Sequence, residues 1–196
     1  LRLYKKLNGL LWKTDLSYNG NQIVDKNLNI NGDIISNGNL QLNNIPIFEA
    51  KSTGQSNLDI NAASSIEFAS EIIDNTNSFA SHNFTAPVKG YYHLYYNISF
   101  NQIDSGMTAA VIAMRIGASV YFNVSRLDDK DYTGDTDNSI NKFASCVRSL
   151  DAGDVVGVYW LQILGTAQVD VVAHLESDSS PYPASSVFGG YLISKY

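Results

Sequence analysis

From residue 45 onward, short segments rich in apolar and aromatic residues are divided by Gly, Pro, Asn and Asp turns. This spacing predicts strands rather than helices. The plainest segment is 84–96, FTAPVKGYYHLYY, with an extended FTAP, a turn at Lys89-Gly90, and then aromatics at alternate positions. Tyr92, Leu94 and Tyr96 point to one side, and Tyr91, His93 and Tyr95 to the other. Apolar character on both sides predicts a strand buried on both faces. Strands are predicted at 45–51, 65–73, 78–85, 90–101, 109–116, 118–125, 139–150, 154–164, 167–175 and 187–194. Such a series, with no helical periodicity, indicates an all-β antiparallel sandwich of the jelly-roll kind. Pro46, Pro87, Pro181 and Pro183 fall at the edges of these segments, where strand geometry tolerates proline.

Residues 1–44 have a different texture. The unit at 15–19, DLSYN, recurs at 27–31 as NLNIN and at 39–43 as NLQLN. Gly20 and Gly32 follow the first two copies, and Asn44 follows the third. Each unit reads as a short strand closed by an Asn-Gly type of turn. One unit cannot bury its apolar stripe alone, so the repeat is expected either to stack within a chain or to wrap with other chains. A flexible Asn/Gly-rich linker is the other reading. The opening LRLYKKLNGLLWKTDL is read as a short hairpin turning at Asn8-Gly9. The expected division is therefore 1–44, a repetitive β shaft or linker, and 45–196, a sandwich head.

Composition narrows the functional classes. The chain has 196 residues and a net charge of −6, which argues against a face for nucleic-acid phosphates or a polybasic membrane patch. Cys146 is the single cysteine, so no intrachain disulfide can form. No apolar run approaches the roughly 20 residues of a membrane span. Sequons at Asn83, Asn97 and Asn123 are read as chance in an Asn-rich chain.

Motifs for catalysis are missing from the sequence. His82, His93 and His174 are scattered, and no nucleophile elbow, P-loop or dinucleotide glycine pattern occurs. The expectation is a protein that is not an enzyme and uses no metal or other cofactor. The most polar stretch, RLDDKDYTGDTDN at 126–138, offers carboxylates of the kind calcium takes, but its spacing is not that of an EF-hand. It reads as a solvated acidic loop or as part of a recognition surface. For recognition, Asp128, Asp129, Asp131, Tyr132 and Asp135 are the candidates, with Tyr182 as an outlier. Tyrosine gives a rigid contact face, and carboxylates accept hydrogen bonds from sugar hydroxyls.

The order Phe68, Asp74, Phe79, Phe84 and Gly90-x-Tyr92-x-Leu94-x-Tyr96 resembles the signature of the complement C1q globular-head family, of the C1q/tumour necrosis factor jelly-roll superfamily. The Phe79-to-Phe84 gap is two residues shorter than the family's, and Leu94 stands where the family has Phe. LDAGDVVGVYW at 150–160, SSVFGGYLIS at 185–194 and IPIFEAKSTGQSN at 45–57 resemble the family's other segments in the same order. The resemblance implies a C1q/TNF-like head that packs as a homotrimer about a threefold axis. Tyr92, Tyr96, Phe188, Tyr191 and Leu192 are then candidates for core or subunit contact. The repeat at 1–44 resembles bacteriophage tail-fibre shafts. Together they suggest a trimeric receptor-binding tip that recognises a host cell-surface ligand such as a glycan, located on a virion or extracellular. A structural trimerisation cap and a secreted C1q-like ligand or lectin are the alternatives.

Overall fold

The computed structural model describes residues 45–103, 106–128, 140–174 and 186–196. The expected division at residue 44 and the shaft reading lie outside these residues. Two six-stranded antiparallel sheets face one another. The first sheet is centred on β6 (Gly90–Asn101). β9 (Ile140–Leu150) lies along one edge of β6. β12 (Val187–Lys195) and the short β11 (Asp170–Val171) share its other edge. Beyond β12 come β1 (Ile47–Lys51) and then β3 (Ser70–Asp74). In the second sheet, β10 (Val155–Ile163) pairs along its length with β7 (Ala109–Ile116), which pairs with β8 (Val120–Asp128). The other edge of β10 is shared by β5 (Asn83–Thr85) and β2 (Ala63–Ser65), with β4 (Phe79–Ala80) beyond β5. Among the described residues no helix is long and apolar enough to cross a membrane.

The inward side chains of the two sheets make one aromatic core. Phe48 of β1 stacks on Phe84 of β5, with centroids 4.2 Å apart and planes 7° from parallel. Phe188 of β12 meets Phe48 edge-on at 5.0 Å, and Phe79 and Phe68 close the cluster. At the other end Phe100 packs on Trp160 at 4.6 Å. Each such side chain contributes about 1.5–3 kcal/mol by burial, and each well-placed ring pair about 0.5–1.5 kcal/mol more. The spaced aromatics of the sequence are thus mostly the inter-sheet contact. Asp74 acts differently: its carboxylate accepts from the N–H groups of Phe79 (2.8 Å) and Thr76 (3.2 Å) and from the Ser78 hydroxyl (3.2 Å). It folds the turn that delivers Phe79 to the core.

Several expected elements differ from the observed ones. The segment 65–73 is not one strand; β2 and β3 belong to different sheets. Between them Ile66 and Phe68 stay buried while the chain crosses over. The Gln55 side chain supports this crossing, donating to Ser65 O (3.0 Å) and accepting from Glu67 N–H (3.0 Å). The segment 78–85 is a hairpin. Ser81 (φ 49°) and His82 (φ 68°) both take the left-handed conformation of a type I′ turn, and Phe79 pairs directly with Phe84. The short Phe79-to-Phe84 gap is this tight turn. The strand expected at 118–125 starts at Val120, after a turn led by Gly117 (φ 56°). Of 167–175 only Asp170–Val171 is strand. Finally, β6 is fully buried on one face only: Tyr92, Leu94 and Tyr96 are inaccessible, whereas Tyr91 is 44% exposed. On the second face His93, Tyr95 and Asn97 are half-buried and Ser99 is buried.

The strand β12 fits between β6 and β1 because of two glycines. A Cβ at Gly189 would lie 2.5 Å from the Tyr95 hydroxyl oxygen, and one at Gly190 would lie 2.6 Å from His93 O and 3.1 Å from the Phe48 ring. Tyr95, Gly189 and Glu49 are in register on three neighbouring strands. The Tyr95 ring crosses the bare glycine and its hydroxyl donates to Glu49 Oε2. A Gly189→Ala substitution is expected to displace Tyr95 and break that bond. Overpacking costs typically about 1–3 kcal/mol, so a chemical denaturation midpoint should fall clearly, and by more than in Tyr95→Phe, which loses only the bond.

The core tyrosines make stability sensitive to alkali. Burial pushes the Tyr96 phenol from 10.0 up to about 12. Burial also raises Tyr92 and Tyr95, the latter further through its bond to Glu49. Well below pH 10 these phenols are neutral in both folded and unfolded chains, so their contribution is complete and constant. As pH rises from 10 towards 12 the unfolded chain ionises first, so the fold is progressively disfavoured. Thermal melts should hold steady up to about pH 9.5 and then fall, and Tyr96→Phe should reduce the slope of that fall.

Candidate functional site

The outer face of the first sheet is the candidate site. Residues in register across neighbouring strands share a face. Phe143 of β9 lies opposite Asn97, Val147 opposite His93, and Ser149 opposite Tyr91. On the other side of β6, Tyr191 of β12 lies opposite His93 and is in turn opposite Ile47 of β1. The result is a row of rings and aliphatic groups on the solvent side: Phe143 is 62% exposed, Val147 58% and Tyr191 43%. Ile193 of β12 and Ile73 of β3 are also exposed.

Polar groups are interspersed on this face: Asn97 lies beside Phe143, and Ser145 lies opposite Tyr95. Glu49 accepts the Tyr95 hydroxyl proton. The His93 ring lies between Tyr191, 5.1 Å away, and Tyr95, 5.9 Å away, and its buried Nδ1 has no hydrogen-bond partner among the described residues. At the turn end, Tyr196 packs on Tyr91 at 4.8 Å, hydrogen-bonds the Ser149 hydroxyl, and lies under Lys89 Nζ at 4.9 Å. Lys89 also pairs with Asp151 at 2.9 Å, an exposed contact that counts for little in stability. The face therefore mixes exposed rings and aliphatic groups with Glu49 and several Asn and Ser side chains in its middle, and holds the Lys89–Asp151 pair at its end.

The structure divides the residues expected at core or subunit contacts. Tyr92, Tyr96, Phe188 and Leu192 point between the sheets. Tyr191 points outward, because it differs from Phe188 and Leu192 in parity along β12. The recognition candidates are not placed: Asp128 ends β8 opposite Ala109, while its side chain and Asp129, Asp131, Tyr132, Asp135 and Tyr182 lie outside the described residues. Phe143, Val147 and Ile193 were not singled out from the sequence. Their signal was present, since KFASCVRSL places apolar groups on both parities of one strand.

Chemistry elsewhere is sparse. Cys146 lies opposite Leu94 on β6, half-buried, and burial pushes its thiol up, which favours the unreactive protonated form. Among the described residues, no three His, Cys, Asp or Glu side chains come together to hold a metal ion.

No protein-family model matches the chain, and no curated protein matches it. Among solved structures, the globular domain of zebrafish complement 1qA protein is similar at 17% identity and a TM-score of 0.48, over 77% of this chain and 99% of that one. The architecture stands on its own geometry, an all-β sandwich of two antiparallel sheets.

Proposed function

We propose that this chain is a non-catalytic recognition module that assembles as a homotrimer through the outer face of its first sheet. The observation that carries the reading is the unpartnered aromatic face built by Phe143, Val147, Tyr91, Tyr191 and Ile193. So many large apolar side chains exposed on one sheet face, even with polar groups between them, suit a contact surface. Each of these side chains is about half exposed, so covering it contributes on the order of 1 kcal/mol. Association costs about 4–15 kcal/mol in lost freedom. A single pair is then marginal. A closed ring of three gains three interfaces for two association steps, which favours cyclic closure. The C1q-like order of Phe68, Asp74, Phe79, Phe84 and Tyr92 supports the same number of copies.

A trimer presents three copies of every loop on one side. Linking weak sites this way raises avidity by about 10²–10⁴ where the geometry lets them engage together. Asp128, Asp129, Asp131, Tyr132 and Asp135, with Tyr182, remain the loop residues proposed to meet an extracellular or host-surface ligand. The repeat of residues 1–44 supports placing such a head on a fibrous stem. A purely structural cap would assemble in the same way and bind nothing.

Light scattering on the full chain is expected to give three times the chain mass at micromolar concentration. Val147→Glu and Phe143→Glu place charge on exposed positions, so both should leave the circular dichroism spectrum unchanged and shift the particle to monomer. A wild-type monomer would refute the assembly. The trimer should also bind host cells or a glycan array, and Asp131→Ala with Tyr132→Ala should weaken that binding at unchanged mass. A trimer that binds no surface would leave the structural cap as the function.

A further inference from the structure

The outer face of the second sheet, which the proposed assembly leaves free, holds a concave apolar depression of about 210 Å³. Small residues create it. Ala113 of β7 lies opposite Tyr159 of β10, and Ala63 of β2 lies opposite Leu161. The two alanines leave a low floor between walls formed by Tyr121, Val124, Tyr159 and Leu161. Arg115 is two residues along β7 from Ala113 and so faces the same way. It lies opposite Gly157 on one side and Tyr121 on the other. Its guanidinium carbon is 3.5 Å from the Tyr159 ring centroid and 5.8 Å from that of Tyr121. Two rings that wall the depression therefore also hold the cation beside it. Arg115 Nη1 donates to the Tyr121 hydroxyl at 3.5 Å, while its Nε is buried with no hydrogen-bond partner among the described residues.

We propose that this depression binds a small aryl or alkyl carboxylate, with the apolar body between the tyrosines and the carboxylate on Arg115. The size is below the usual range for drug-sized ligands, roughly 300–1,000 Å³, which suits one ring with a short tail. Charge complementarity supplies the sign: a guanidinium held in place by two rings and the Tyr121 hydroxyl presents its remaining Nη donors best to a planar carboxylate. The walls offer tyrosine hydroxyls and little else that is polar. A sugar would leave several hydroxyls unpaired there, at about 1–3 kcal/mol each. This site therefore differs in ligand class from the loop surface and does not depend on assembly.

The test is calorimetric titration of the full chain with 3-phenylpropionate, 3-phenylpropanol and glucuronate. The expected result is one saturable site per chain for 3-phenylpropionate, with the alcohol and the sugar acid each at least ten-fold weaker. Arg115→Gln should weaken 3-phenylpropionate binding at least ten-fold and leave 3-phenylpropanol within two-fold. Ala113→Leu fills the floor and should abolish binding of both. Val124→Glu, at a wall position already 58% exposed, leaves the core untouched and should weaken the acid, through like-charge repulsion, by more than it weakens the alcohol. Equal affinity for acid and alcohol, equal affinity for glucuronate, unchanged acid binding in Val124→Glu, or no binding of 3-phenylpropionate at 10 mM would each overturn the proposal. Light scattering on the same samples distinguishes loss of this site from loss of assembly.

Discussion

The close approach of three strands at Gly189-Gly190 is the constraint on which the first sheet depends. Backbone groups on neighbouring strands are always near, but here the side chains of both neighbours also occupy the space above and below β12. Tyr95 passes over Gly189 on the outer side to reach Glu49. On the inner side Gly190 leaves room for the Phe48 ring and Leu94. Phe48 can then stack on Phe84 of the opposite sheet. A pair of missing side chains thus couples the inter-sheet core to the polar lock on the outer face. Glycine normally weakens a strand interior, and its loss of packing is offset here by rings that take up the vacated volume.

The same arrangement explains why the two outer faces differ. On the first sheet the strands carry large groups on both parities, so the face left over by the core is itself aromatic. On the second sheet the outward positions of β7 alternate between small and large groups, with Ala109 and Ala113 flanking Val111 and Arg115 beyond. A flat row of large side chains suits broad contact with another protein surface. A local deficit of volume beside a fixed cation suits a small ligand. One sandwich therefore offers two kinds of surface, and the division follows from side-chain size at fixed backbone register.

Most of the strand series and the burial of alternate aromatics were legible in the sequence because they follow from local periodicity. The tight turn between Phe79 and Phe84 was not: the segment reads as one strand, and the shortened gap became a turn only in the structure. The crossing at Ile66–Phe68 was not legible. A strand that changes sheets keeps its apolar pattern, and the partner that makes the crossing possible, Gln55, is brought there by the fold. The outward direction of Tyr191 beside inward Phe188 and Leu192 was a matter of parity, readable once β12 is known to be regular between Val187 and Leu192. Arg115, Tyr121 and Tyr159 belong to three strands that the sequence separates, and no local pattern joins them.

By itself the sequence determined an antiparallel all-β head and the aromatic positions of its core, because side-chain alternation is a property of each strand alone. It also left too few clustered nucleophiles, bases and ligating groups to suggest catalysis. Only the tertiary structure decided which apolar residues find a partner within the chain. Tyr92 and Tyr191 are the same side chain on adjacent strands, and one is inaccessible while the other is exposed. Burial is a property of the register between strands and of the distance between sheets. Both depend on contacts between residues far apart in the chain, such as Tyr95 with Glu49 and Phe48 with Phe84.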